Sequence, residues 1–149
     1  MTQPVNLNRF LSPEDTARVA AAVTEAEKTT SAEIKVVILT HCWRDIRSKA
    51  AQLFLGYGLE KTELRNCVMI LLVTTNREFL IYGDKGIHCK VGQGFWDDVR
   101  DRMSVLFAEG RHADALCEGV KRAGDKLTQF FPAATGDRNE VSNEVTFAE

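Results

Sequence analysis

No two of the four cysteines, Cys42, Cys67, Cys89 and Cys117, stand in a C-x-x-C spacing. That removes the common zinc-ribbon and dithiol motifs. The three histidines are as scattered: His41, His88 and His112 share no ligand spacing with one another or with a cysteine. No charge predominates, since 19 Lys and Arg face 21 Asp and Glu for a net charge of -2, which gives no sign of the clustered basic face that nucleic acid demands. No apolar run approaches the roughly 18 residues of a membrane span, and the longest, CVMILLV at Cys67–Val73, has the length of a strand. The opening residues MTQPVNLNRFLSPED lack a charged n-region followed by an apolar h-region, so no signal peptide is expected. Reduced thiols and a cytoplasmic location follow as expectations. The chain has no internal repeat, and the D-x-D pattern of aspartyl-phosphate phosphatases is absent.

What remains is 149 residues with 44% hydrophobic and 27% charged side chains, ordinary for one soluble domain. Residues 1–11 read as a flexible lead-in. SPED then opens a helix, with Ser12 as N-cap, Pro13 at the first helical position and Asp15 placed for a capping box. EIKVVILT, from Glu33 to Thr40, reads as a strand buried on both faces. A helix is expected from about Trp43 to Tyr57, then a second buried strand over CVMILLVT. Strand, helix and strand at this spacing make a βαβ unit with parallel strands. FLIYG reads as a third strand, antiparallel to the second. Helices are expected over residues 93–108 and 112–131, with Pro132 as the stop. The domain therefore spans residues 12–132, and the polar, aperiodic residues 133–149 are expected to be disordered. The fold class is α/β, a three-layer α/β/α sandwich with a small mixed sheet.

This topology locates a site. The N-terminal ends of two parallel strands and the C-terminal end of an antiparallel third share one edge. TSAEI, RNC and GDKG should converge there, bringing Glu33, Arg65, Asn66, Asp84 and Lys85 together. The opposite edge, where open α/β sheets usually bind ligands, carries Thr40, His41, Cys42 and Thr74–Asn76. Neighbours on a strand point to opposite faces, which weakens His41 and Cys42 as a base–nucleophile pair. The first edge is preferred.

TSAEIKVVI, RNCVMILL, FLIYGDKGIHCKVGQGFW and FAEGRHADALCEGVKRAGDKLTQFFP together resemble the TPM-domain family over about residues 12–132. The resemblance implies an α/β/α sandwich with a loop-lined acidic site. Some members are described as calcium-binding and some as acid phosphatases. Others are thylakoid-lumen proteins linked to photosystem II repair or a receptor-auxiliary protein. Two departures stand out. Arg65-Asn66-Cys67 occupies the place of Asp-Asn-Gly, and Lys90-Val91-Gly92 follows the glycine loop where many members carry an aspartate. The signal peptide and membrane helix common in the family are missing, which marks a stand-alone, soluble type.

Three chemistries compete at this edge. Glu33, Asn66 and Asp84 could offer oxygens to Ca2+ or Mg2+, but calcium takes about six to eight ligands, so Asp97 or Asp98 would have to join. The competing structural reading pairs Glu33 with Arg65 in a salt bridge. Arg65, Lys85 and Lys90 instead suit a small anionic ligand or phosphate, with VGQGFW opening a helix nearby. A metal-dependent, acid-phosphatase-like hydrolase of phosphomonoesters, with Asp84 as catalytic nucleophile, is the alternative to a binding or interaction module with an unidentified protein partner. Cys67 and Cys117 read as core thiols, His88 as solvent-facing, and Trp96 as packing over the loop.

Overall fold

A computed structural model describes residues 11–92, 94–133 and 139–148. Ser12 starts the first helix, α1 (Pro13–Ala26), through a complete capping box. Its Oγ accepts the Asp15 N–H at 3.0 Å, and the Asp15 carboxylate accepts the Ser12 N–H at 3.2 Å. Val19 and Val23 form the buried stripe of α1.

β1 (Glu33–Leu39) and β2 (Cys67–Val73) pair in parallel, from Glu33 opposite Cys67 to Leu39 opposite Val73. The helix α2 (Ile46–Gly56) connects them. It starts three residues later than the sequence suggests, because Asp45 takes the N-cap and accepts the Ser48 N–H at 3.1 Å. β3 (Glu78–Gly83) returns antiparallel to β2. A single helical turn, α3 (Lys85–His88), follows within the glycine loop. α4 (Asp97–Ala108) and α5 (His112–Phe130) complete the helices. The expected start of α4 at Gln93 lies outside the described residues, and the described helix begins at Asp97.

Side chains of β1 and β2 alternate between two cores, as the period of a strand requires. Ile34, Val36, Ile38, Val68, Ile70 and Leu72 pack against α1, α4 and α5. Val37, Leu39, Met69, Leu71 and Val73 pack against α2. This is the mixed-sheet α/β/α sandwich, with helices on both faces.

The expected disordered tail is different over its described residues, 139–148. A fourth strand, β4 (Thr146–Ala148), pairs in parallel with β1, giving the sheet order β3-β2-β1-β4. Two buried charged side chains of β1 hold this segment. Lys35 Nζ donates to the Glu144 carbonyl at 2.8 Å, and a Glu33 oxygen accepts the Glu140 N–H at 2.8 Å. Val141 and Ala148 join the core on the α2 face. Local sequence gives no sign of this order, because the partners lie more than a hundred residues upstream. The lead-in at 1–10 and tail residues 134–138 and 149 lie outside the described residues.

Candidate functional site

The three segments expected to converge do so through backbone bonds. Glu33 N–H reaches Asn66 O at 3.4 Å, Asp84 N–H reaches Cys67 O at 3.0 Å, and Gly86 N–H reaches Arg65 O at 2.9 Å. The side chains, however, divide into two clusters.

The first is Arg65 with Asp84. Arg65 adopts a positive φ of 51°, uncommon for a residue with a side chain. Its guanidinium grips the carboxylate from two positions, Nε to Oδ2 at 2.7 Å and Nη2 to Oδ1 at 2.8 Å. Asp84 is 6% exposed and Arg65 36%. The same carboxylate caps α3, because Oδ1 also accepts the Lys85 N–H at 2.8 Å. Lys85 itself is exposed. The expected Glu33–Arg65 salt bridge is therefore replaced by Arg65–Asp84.

The second cluster is Glu33 with Glu27, a residue the sequence reading missed. The Glu27 carboxylate accepts the Ile34 N–H at 2.8 Å and lies beside the Glu33 carboxyl. Burial, then the neighbouring Glu33, pushes Glu27 up to about 8. Both effects favour the protonated form of Glu27. Glu27 caps the C-terminus of α1, where the helix dipole disfavours an anion. An acid at that end of a helix was the available signal for it.

The Glu27 proton has a measurable consequence. The folded state keeps a proton that the unfolded chain releases above the ordinary value of 4.5. The stability it contributes is complete below that value and is lost as pH rises through about 8. Glu27→Gln imitates the protonated form at every pH. It is expected to leave unfolding free energy unchanged near pH 4 and to raise it by about 1–3 kcal/mol near pH 9. Urea unfolding at both pH values reads the difference, and an equal effect at the two would refute the proton held by Glu27.

The remaining residues sit apart or are already engaged. Asn66 is 1% exposed, and its Nδ2 has no hydrogen-bond partner among the described residues. Burial, with the charges of Glu33, Glu27 and Asp84 around it, pushes the Cys67 thiol far up, so it is no nucleophile. Asp97 and Asp98, suggested as extra ligands, pair instead with Arg100 and Lys126. His88 is exposed, and Trp96 packs edge-on against Phe95 and partly against the core. At the opposite edge the Cys42 thiol bonds the Arg44 carbonyl at 2.9 Å, and His41 stacks on Trp43. Among the described residues no group of three or more His, Cys, Asp or Glu is placed to hold a metal ion. None of the described helices is long and apolar enough to cross a membrane.

The profile of the TPM domain matches residues 5–126 of the chain. No curated protein matches. Among solved structures, the BA42 protein of the psychrophilic bacterium Bizionia argentinensis, determined by NMR, is 31% identical. The alignment covers 99% of this chain and 100% of that one, with a TM-score of 0.90. The N-terminal domain of a protein from P. gingivalis shares the fold at 24% identity and a TM-score of 0.61, over 82% of this chain and 79% of that one.

Proposed function

The chain belongs to the TPM-domain family, and from that premise we propose that it is a non-catalytic binding module whose acidic edge is closed by an internal cation, the Arg65 guanidinium. The observation that carries this reading is the two-point Arg65–Asp84 pair at 2.7 and 2.8 Å. Calcium or magnesium would need several free oxygens. Here both Asp84 oxygens face Arg65, one also holds the Lys85 N–H, and a Glu33 oxygen holds the Glu140 N–H. The unpartnered group of Asn66 is a donor, which suits an acceptor rather than a metal. A divalent cation could enter only by displacing a guanidinium, so these residues do not fit a resident metal.

The same contacts argue against a hydrolase. A nucleophilic carboxylate needs a free oxygen aimed at the phosphorus, and Asp84 has both oxygens engaged. Arg65 spends two of a guanidinium's five N–H donors on Asp84. The rest, beside the exposed Lys85, suit an anionic group of a partner or small ligand.

Titration into labelled protein tests the reading. Calcium and magnesium are expected to leave the amides of Gly83–Gly86 in place at millimolar concentrations. Phosphate is expected to move Lys85 and Gly86 weakly and in a salt-sensitive way. Saturable shifts with submillimolar calcium would sink the proposal. So would hydrolysis of p-nitrophenyl phosphate that disappears in Asp84→Asn.

A further inference from the structure

β3 is an edge of the sheet with nothing paired to its outer side among the described residues. Its Asp84 N–H bonds Cys67 O. Antiparallel alternation then directs Glu78, Leu80 and Tyr82 toward β2. The N–H and C=O groups of Phe79, Ile81 and Gly83 point outward, and no described residue bonds to them. A row of unpaired backbone groups is a template for another strand. Here the row opens into a cleft of about 490 Å³ that takes in Leu80, Ile81 and Gly83 of the strand. Arg47 on α2 forms one wall, and Phe95, Trp96 and Arg100 form the other.

We infer that this cleft receives an extended, acidic segment of a partner protein, added to the sheet as a strand beside β3. The edge supplies main-chain bonds, and the walls supply selection. β3 has six residues, about 20 Å of strand, and seats a segment of about that length. Phe95 and Trp96 stack edge-on and offer an apolar wall. Of the charged residues lining the cleft, Arg47 and Arg100 are cationic and Asp97 is anionic, a net positive charge. Arg47 makes no ion pair among the described residues, His88 lies exposed on the lining, and Arg100 is shared with Asp97. Glu78, at the start of the strand, is not among the lining residues. That balance favours acidic side chains on the incoming segment, alternating with apolar ones that face the aromatic wall. The site is separate from the Arg65–Asp84 pair, whose role does not enter.

Selection from a displayed library of random heptapeptides on the full chain tests this. Enriched peptides should alternate apolar and acidic residues. Binding of a selected peptide should slow hydrogen exchange at the Phe79 and Ile81 amides. Combined Arg47→Glu and Arg100→Glu should weaken it at least tenfold, with the unfolding midpoint confirming an intact fold. N-methylation of the peptide's inward-facing amides should abolish binding, because it deletes the donors of the ladder. No enrichment, peptides indifferent to charge reversal or N-methylation, or unprotected Phe79 and Ile81 amides would each overturn the inference. So would sedimentation showing that β3 is already covered by a second copy of the chain.

Discussion

Gly86→Ala is expected to cost about 3 kcal/mol or more, enough to unfold a marginal domain. The reason is backbone against backbone. A Cβ on Gly86 would fall far inside contact distance of the Leu64 and Arg65 carbonyl oxygens. Neither is the end of a flexible side chain that could swing away. Gly86 also donates its N–H to Arg65 O at 2.9 Å, so retreat from the clash breaks that bond. The variant must either separate α3 from the segment before β2 or lose the bond that joins them. Thermal unfolding measures the effect, with Gly92→Ala as control, since a Cβ there meets nothing. A Gly86→Ala protein with wild-type stability would mean that the two segments are not in contact.

The second large effect is expected at Asp84. Asp84→Ala removes the α3 cap and the partner of Arg65 together, and is expected to cost about 2 kcal/mol. For a domain this size that lowers Tm by about 4–8 °C. Asp84→Asn keeps an oxygen for the Lys85 N–H while discarding the charge, so it should retain the cap and about half of the stability. Calorimetry on the two variants separates cap from charge. Equal losses would place the whole effect in the ion pair, and no loss in either would remove Asp84 from the account of this edge.

Much of this is legible in the sequence. The continuous apolar runs EIKVVILT and CVMILLVT and the Ser12–Asp15 box lead to the buried strands and α1. Their order then brings Arg65, Asn66 and Asp84 to one place. Which charges pair was not readable. Arg65 chose Asp84 over Glu33 because a positive φ and a backbone bond from Gly86 aim it toward the α3 cap. Glu27 and Glu33 met because Ile34 holds one while the tail holds the other. Such choices depend on contacts between distant segments, and local patterns carry none of them. One hint was present. EIKVVIL is buried along its whole length, and two charged residues inside it demand partners from somewhere. The tail answers that demand.

The arrangement bears on the order of events at the ribosome. Glu33 and Lys35 emerge early, yet Glu33 bonds a backbone group 107 residues further along, and Lys35 one 109 residues further. Until residues 139–148 have been made, β1 has an open side next to Glu33 and Lys35, whose backbone partners at Glu140 and Glu144 are not yet present. The helices and the hairpin can assemble while synthesis continues. Closure of the sheet waits for nearly the last stretch of this sequence, when one segment supplies the bonds for both charges at once.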